Sequence, residues 1–163
     1  HKLLRAILRQ DPDILYIGEI RDEETAEVAF RSAITGHVVF STLHTKDINS
    51  TFDRILDLNI NENLMNEALK TVINQRLVKT LCADCRKKVE APKWLKEKGI
   101  NYVYEAVGCG RCDNGYKGRV GVFEVNVIED GEVQTIMNFE DSLVEHLKNG
   151  KIDLKTFEVE NDL

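Results

Sequence analysis

The fold is decided by the stretch Leu8-Arg9-Gln10-Asp11-Pro12-Asp13-Ile14-Leu15-Tyr16-Ile17-Gly18-Glu19-Ile20-Arg21-Asp22. Asp11-Pro12 ends whatever precedes it, because proline lacks an N–H and disfavours helix in the residue before it. The unbroken apolar run from Ile14 to Ile17 then predicts a strand buried on both faces. Active groups of open parallel sheets lie just beyond the carboxyl ends of strands, where this pattern places Glu19. Glu19 and Asp22 could equally be acids that begin a helix.

A second strand is predicted about thirty residues further on. Asp22 to Ile34 has a capping aspartate, acids in its first turn and an apolar face, which together indicate a helix that Gly36 closes. Residues 37–43 read as another buried strand, which ends at His44. Strand, helix and strand form a βαβ unit with parallel strands. Glu19 and His44 therefore both follow carboxyl ends of neighbouring strands, which favours an active site.

Composition limits the class of protein. The chain has 163 residues, of which 31% are charged and 42% hydrophobic, and its formal net charge is -6. No apolar run approaches the roughly 20 residues that span a bilayer, and no signal peptide is recognisable, so a cytoplasmic location is expected. The acidic balance argues against a general nucleic-acid surface.

The remaining elements are predicted from periodicity and turn signals. The first ten residues have helical spacing without a capping residue, as in a helix entered partway within a longer protein. One helix is expected from Asp47 or Asn49 to about Leu58, and a long one from Asn63 whose apolar face carries Leu64, Ala68, Val72, Leu77 and Leu81. After that we expect a strand over 120–127, a turn at 129–131, helical segments over 133–137 and 142–147, and a loosely docked acidic end after Gly150.

Four cysteines form two C-x-x-C pairs, Cys82 with Cys85 and Cys109 with Cys112. In a reducing compartment this spacing indicates four thiolates around a structural Zn²⁺. The alternatives are a redox dithiol pair, an iron–sulfur cluster, or a site that holds no metal. A catalytic zinc is disfavoured because four thiolates leave no open coordination position.

The strand-end residues suit nucleotide hydrolysis. A carboxylate such as Glu19 can orient and polarise an attacking water, and His44 can hydrogen-bond a γ-phosphate. Arg21 can neutralise charge or pair with Asp22. A solitary histidine, however, is more often an ordinary surface or core residue, and an arginine beside an aspartate is usually just an ion pair. The sequence contains no G-x-x-x-x-G-K-[ST] phosphate loop, so these 163 residues alone are predicted to be catalytically silent.

These segments resemble a known family. The opening stretch is similar to the signature segment of the type II secretion and type IV pilus assembly ATPases, the secretion ATPase E family. Residues 35–45 resemble its His box. The segment from Gln75 through Cys85, the second cysteine pair and residues 118–124 resemble the zinc-bearing arm of its extension-type members.

The resemblance implies a partial RecA-like P-loop NTPase α/β domain over 1–81, a tetracysteine arm over 82–125 and a C-terminal α+β segment over 126–163. Glu19, His37 and His44 are the expected catalytic residues. Glu19 would act on the attacking water and help organise Mg²⁺, and the two histidines would belong to the His box, where His44 would contact the γ-phosphate. Glu19, Arg21 and His44 are the expected nucleotide-binding residues.

The resemblance also implies the setting of the parent protein. It would be a homohexamer that hydrolyses ATP peripherally at the cytoplasmic face of the inner membrane and works on a membrane platform protein, without nucleic acid. The alternative from a different class is a non-enzymatic zinc-ribbon interaction module.

Overall fold

The expected βαβ unit is present in the computed structural model, which describes Gln10 and residues 12–161. Strand β1 (Ile14–Ile17) is followed by helix α1 (Glu23–Ile34) and strand β2 (Val38–Ser41). The strands are parallel, with Ile14 opposite Val38 and Ile17 opposite Ser41. The Asp22 carboxylate accepts the Thr25 N–H at 2.8 Å and so caps α1 as predicted. The helix predicted over the first ten residues lies, except for Gln10, outside the described residues.

The two strands are buried on one face only. Leu15 and Ile17 are buried, whereas Ile14 and Tyr16 are 62% and 75% exposed. Val38 and Phe40 on β2 are exposed as well. The prediction of a strand buried on both faces was therefore wrong for the described chain, because its helices cover one side of the pair. The covered side joins a core formed by Ile17, Ile20, Ala26, Ala29, Phe30, Ile55, Leu58, Ile60 and Met65.

Two short helices follow β2. Helix α2 (Ile48–Asp57) begins at Asp47, whose carboxylate and the Ser50 hydroxyl cap each other's backbone. Helix α3 (Glu62–Ala68) begins at Asn61 and ends where Leu69 turns extended. The long helix predicted from Asn63 was wrong, because strand β3 (Thr71–Leu81) replaces its second half.

Burial explains why β3 is a strand. Along its first half buried and exposed residues alternate, with Val72 and Asn74 buried and Ile73 exposed. This period of two, in a segment rich in β-branched residues, outweighs the helical spacing of its leucines.

The rest of the chain forms a two-stranded sheet and adds two strands to β3. Strands β4 (Lys87–Glu90) and β5 (Tyr102–Glu105) are antiparallel, and the short helix α4 (Lys93–Glu97) lies between them in sequence. Strands β6 (Tyr116–Glu129) and β7 (Glu132–Met137) join β3 in the order β3-β6-β7.

The turn between β6 and β7 explains a second correction. Asp130 and Gly131 both have positive φ, 51° and 81°, as in the turns that favour hairpins. The helix predicted over 133–137 was therefore wrong, since these residues pair with β6 as β7.

The chain ends in two helices, α5 (Phe139–Lys148) and α6 (Leu154–Asn161). The expected loose end after Gly150 was wrong: Ile152 is fully buried and Phe157 is 3% exposed. The apolar residues of this short segment suffice to dock it, despite its many acids.

The described residues divide into two units. The first unit holds the chain up to Asn74 together with Val125–Ile136, and the second holds Gln75–Glu124 with the chain from Met137 onward. The second unit has its own core, formed by Val78, Ala91, Leu95, Ile100, Val103, Val122, Leu143, Leu147, Ile152 and Phe157. In the described part of the chain no helix is long and apolar enough to cross a membrane.

Candidate functional site

Glu19 lies just beyond β1 in the first unit, and hydrogen bonds join the backbone of its two neighbours in the chain to Thr42, the residue that follows β2. The Ile20 N–H donates to the Thr42 carbonyl at 3.1 Å. The Thr42 hydroxyl donates back to the Gly18 carbonyl at 2.7 Å. Thr42 therefore ties down the residues on both sides of Glu19, which holds Glu19 beside the chain that leads to His44.

The Glu19 carboxylate contacts two basic side chains. Its Oε1 lies 2.9 Å from His44 Nε2, and its Oε2 lies 2.5 Å from Arg21 Nη2. The Glu19 side chain is 21% exposed, whereas those of Arg21 and His44 are 76% and 86% exposed. The structure thus brings together Glu19, Arg21 and His44, as expected for one strand-end site. Arg21 pairs with Glu19, while Asp22, the other partner considered for it, caps α1.

This pairing keeps Glu19 ionised. The hydrogen bond from Arg21 lowers the pKa of the Glu19 carboxyl, partial burial opposes this effect, and the charges of Arg21 and His44 add to the lowering. The Glu19 carboxylate in turn raises the pKa of Arg21. At neutral pH the site therefore presents a carboxylate that accepts hydrogen bonds, which is what orienting a water requires.

His37 lies elsewhere. It precedes β2, whereas Glu19 and His44 follow the carboxyl ends of β1 and β2, so the length of a strand separates His37 from them. Its Nδ1 lies 3.1 Å from the Ser32 carbonyl and 3.3 Å from the Thr35 hydroxyl, at the end of α1. The structure does not bring His37 into the Glu19 site.

Two residues at the site were missed from the sequence. Thr42 is one, and Arg54 on α2 is the other, because its guanidinium donates to the Arg21 carbonyl at 3.2 Å. The partners of Thr42 and Arg54 lie 24 and 33 residues away in the chain. The position of Thr42 near the end of a predicted strand was the one available signal.

The four cysteines converge in the second unit. Their Sγ atoms all lie within 4.8 Å of one another. Cys85 and Cys112 Sγ are 3.7 Å apart, and Cys109 and Cys112 Sγ are 3.6 Å apart. Four sulfurs placed tetrahedrally at the usual Zn–S distance of about 2.3 Å would be separated by about 3.8 Å. The donor set and its spacing therefore fit a four-coordinate structural Zn²⁺.

The backbone around the cysteines is tightly packed. The Cys82 N–H donates to the Gly115 carbonyl at 2.7 Å. Gly115 has φ +92°, and a Cβ there would lie 2.7 Å from the Cβ of Ala106. Glycine is therefore required at position 115, where the backbone has a positive φ and passes close to Ala106.

The thiols differ in acidity. Burial raises the pKa of the Cys85 thiol to about 12, and its sulfur neighbours add to the rise. Burial also acts against ionisation of Cys112, but hydrogen bonds from the backbone N–H groups of Cys109 and Gly115, with those from the neighbouring thiols, lower its pKa to about 7. The Cys112 thiol therefore ionises at lower pH than the Cys85 thiol.

The family model described as Type II/IV secretion system protein matches residues 1–158. The chain belongs to this family. The resemblance drawn from the opening stretch, the His box and the cysteine pairs is thus confirmed.

Relatives within the secretion family are named as ATPases. The chain is 42% identical over 165 aligned residues to a type IV pilus assembly ATPase PilB of Pseudomonas aeruginosa, covering 94% of the chain and 29% of that protein. It is 45% identical over 134 residues to the type II secretion system ATPase E of Vibrio cholerae, covering 78% of the chain and 27% of that protein. The chain therefore spans less than a third of these relatives' length.

Solved structures of secretion and pilus ATPases share the fold. The pilus retraction motor PilT with bound ADP superimposes with a TM-score of 0.62 at 26% identity, covering 96% of this chain and 41% of PilT. The Legionella pneumophila ATPase DotB gives a TM-score of 0.65 at 20% identity, covering 98% of this chain and 41% of DotB. The predicted RecA-like α/β class with a cluster of four cysteines is confirmed.

Proposed function

We propose that this chain is the C-terminal part of a motor ATPase that powers type IV pilus assembly or type II protein secretion. The observation that carries the proposal is the Glu19 carboxylate held beside His44 at adjacent strand ends, in a chain of the secretion family. A fixed, ionised carboxylate at this position is the group that hydrolysis of a nucleoside triphosphate needs to orient water.

Each site residue has a role in this proposal. Glu19 orients and polarises the attacking water and helps organise Mg²⁺, and His44 hydrogen-bonds the γ-phosphate. Arg21 neutralises phosphate charge. His37, a member of the catalytic set that the sequence suggests, acts here by holding the end of α1 to the start of β2 through the Ser32 carbonyl.

The phosphate-binding loop belongs to another part of the protein in this proposal. The 163 residues contain no G-x-x-x-x-G-K-[ST] motif, and the relatives named as ATPases are more than three times as long as the segment they share with this chain. Because the loop supplies the N–H groups, lysine and hydroxyl that hold ATP and Mg²⁺, the 163-residue chain alone should not hydrolyse ATP.

The wider setting follows the same family. We propose a homohexamer, peripheral on the cytoplasmic face of the inner membrane, that acts on a platform protein and not on nucleic acid. Zn²⁺ held by Cys82, Cys85, Cys109 and Cys112 stabilises the arm over 82–125. The division of the chain into an ATPase segment over 1–81, the arm and a C-terminal segment over 126–163 stays a prediction.

The proposal is tested by Glu19→Gln in the protein that contains this chain. Loss of the carboxylate should lower turnover by roughly 10²- to 10⁴-fold while ATP binding persists, because general-base or water-orienting groups contribute about this much. ATPase assays and equilibrium nucleotide binding measure the two quantities. Glu27→Gln is the control, because Glu27 pairs with Arg31 on the exposed side of α1.

Two results would count against this function. Full turnover in Glu19→Gln would remove the catalytic role of Glu19. Salt-dependent DNA binding by the chain, with no ATPase activity in the longer protein, would instead favour the zinc-ribbon interaction module.

A further inference from the structure

The chain that enters the cysteine cluster is bonded to the linker over residues 150–153, which joins α5 to α6. The Leu81 N–H, just before Cys82, donates to the Lys151 carbonyl of the linker at 2.7 Å. Leu81 and Cys82 are both buried. The position of the first cysteine is therefore connected to that of the linker.

The chain that leaves the first cysteine pair is bonded to the same linker. Arg86 follows Cys85 directly, and its guanidinium donates to the Gly150 carbonyl. The guanidinium carbon also lies 4.5 Å from the centre of the Tyr104 ring on β5. Gly150 has φ +64°, and a Cβ there would lie 2.5 Å from Tyr104 Cδ2 and 2.9 Å from Arg86 Nη1. Glycine therefore allows the linker to approach Arg86 this closely.

The second cysteine pair is connected to the linker through Tyr116. The Gly115 N–H donates to the Cys112 sulfur, and the next residue, Tyr116, donates its hydroxyl to Asp153 Oδ2 at 2.6 Å. Asp153 is buried, and its Oδ1 accepts the Thr156 N–H in the first turn of α6 at 2.9 Å. The residue that caps α6 is therefore held by a tyrosine next to the cysteine cluster.

We propose that metal binding by the four cysteines controls the docking of α6, with the linker as the connection. This inference goes beyond the proposed function but rests on its assignment of Zn²⁺ to the cysteines. The metal supplies free energy that orders the cysteine loops. The ordered loops then hold Leu81, Arg86 and Tyr116 in place as donors to the polar groups of the linker.

Helix α6 needs this support because it is short and has little buried surface. It has eight residues, fewer than the roughly 12–15 that an isolated helix needs in water. Phe157 is its one buried residue, and the Phe157 ring lies 5.8 Å from that of Trp94. Once the cysteine loops open, α6 loses the partners of its cap and is expected to open before the core of the second unit does.

The coupling acts in both directions. A change in the metal site alters the docking of α6, and a change in the linker alters the affinity for the metal by the same factor. Couplings between two sites are typically about 5- to 150-fold. Metal affinity is therefore a second measure of the connection, independent of any catalytic activity.

Hydrogen exchange tests the first direction in the longer protein that contains this chain. Reduced protein with Zn²⁺ is compared with the same protein after chelation, and mass spectrometry follows peptides from α5 and α6. Exchange over 154–161 should rise at least about fivefold on chelation. Helix α5 is the reference, because Leu143 and Leu147 are fully buried, and its exchange should rise less. Unchanged exchange over α6, or equal rises in α5 and α6, overturns the proposal.

Two glycine variants test the reverse direction. Gly150→Ala places a Cβ against Tyr104 and Arg86, so it should weaken Zn²⁺ binding at least about fivefold, measured by competition with a chromophoric chelator. Gly99→Ala is the matched control, because Gly99 also has a positive φ, +81°, and no atom of the described residues lies within 4 Å of an added Cβ. Gly99→Ala carries similar backbone strain and should keep the wild-type affinity. Equal affinities in the two variants overturn the proposal.

Arg86→Gln keeps the test decisive if Gly150→Ala does not fold, because it removes the donor without straining the backbone. It should weaken Zn²⁺ binding and raise the exchange of α6 in the Zn²⁺-bound protein. Lys88→Gln is its control, since Lys88 Nζ lies 4.2 Å from the Tyr102 ring centre in the same sheet, and it should change neither quantity. Weaker Zn²⁺ binding in Arg86→Gln with unchanged exchange of α6 contradicts the role of the linker.

Failure of the coupling is distinguishable from failure of the proposed function. Bound Zn²⁺ without any response of α6 overturns the coupling alone. Reduced protein that binds no Zn²⁺ overturns the metal assignment and the coupling together. The ATPase role is judged separately, by the turnover of Glu19→Gln.

Discussion

Thr42 is a single residue that supports the whole Glu19 site. Its hydroxyl and its carbonyl bind the backbone on either side of Glu19. The hydroxyl is part of an exposed bond, so its loss should cost only about 0.5–1.5 kcal/mol of stability. The effect on catalysis should be larger, because a small displacement of a reacting group is costly.

In the longer protein that contains this chain, we therefore expect Thr42→Val to lower ATP turnover roughly tenfold or more, while the free energy of urea unfolding changes little. The matched control is Thr80→Val, which removes a similar threonine-to-carbonyl bond, to Lys117 in the second unit. Equal turnover in the two variants would show that Thr42 does not position Glu19.

Tyr116 makes the stability of the folded protein depend on pH. Its hydroxyl donates to Asp153 Oδ2 at 2.6 Å, while Asp153 Oδ1 accepts the Thr156 N–H at 2.9 Å. Burial, and then the bond to Asp153, raise the pKa of Tyr116. The neutral phenol is thus favoured in the folded state. The resulting stability is fully present below the unfolded pKa of about 10 and is lost as pH rises through the folded pKa.

Tyr116→Phe should accordingly destabilise the protein by about 1–3 kcal/mol at neutral pH, because it leaves a buried carboxylate oxygen with one donor fewer. The difference from the wild type should shrink above about pH 10. Urea unfolding of both proteins at a series of pH values measures this difference in stability. A difference that grows with alkalinity would contradict this account.

Residue-scale prediction succeeded where the signal was local. Glu19 and His44 follow predicted strands, and the structure places them 2.9 Å apart. The Asp22 cap was also found, since its partner is three residues away. Thr42 and Arg54 were missed, because no local pattern specifies partners 24 and 33 residues distant.

At the scale of elements, the cysteine arm should depend on its metal. The four sulfurs converge in a segment with short strands and a five-residue helix, α4, so the metal supplies folding energy there. We expect about one zinc per chain in reduced protein, measured by atomic spectrometry. Chelation should increase hydrogen exchange over 82–112.

Cys109→Ser should reproduce the effect of chelation, because it removes one of four ligands. Lys117→Gln, an exposed change nearby, is the control and should retain the metal. Reduced protein with no bound metal would exclude the zinc assignment.

The predictions of secondary-structure elements were wrong where tertiary contacts outweighed the local sequence pattern. The segment 71–81 has leucines at helical spacing, yet it joins β6 in a sheet. The acidic end after Gly150 looked too polar to dock, yet Ile152 and Phe157 are buried in the second core. Local spacing does not reveal which face a partner covers.

At the scale of the whole molecule, one apolar face of the first unit is exposed. Ile14 and Val38 are opposite each other, as are Tyr16 and Phe40, and all four are more than half exposed. Contiguous exposed apolar residues on an open strand pair promote association.

The 163-residue chain studied alone should therefore self-associate, which light scattering measures. The double change Tyr16→Thr and Phe40→Thr should reduce association while β-propensity is kept. The control is Val107→Thr, at a residue that is 61% exposed in the second unit. A wild-type chain that stays monomeric would contradict the prediction.

The sequence by itself determined the parallel βαβ unit, the strand-end positions of Glu19 and His44, and the two cysteine pairs. Caps, turns and motif spacing act over a few residues and leave their mark in the chain order. Only the tertiary structure decided that β1 is covered on one face, that β3 replaces a helix, that α6 docks, and that Arg21 and His44 each contact one oxygen of Glu19. These features depend on burial and on contacts between residues distant in the chain, which single-sequence patterns do not encode.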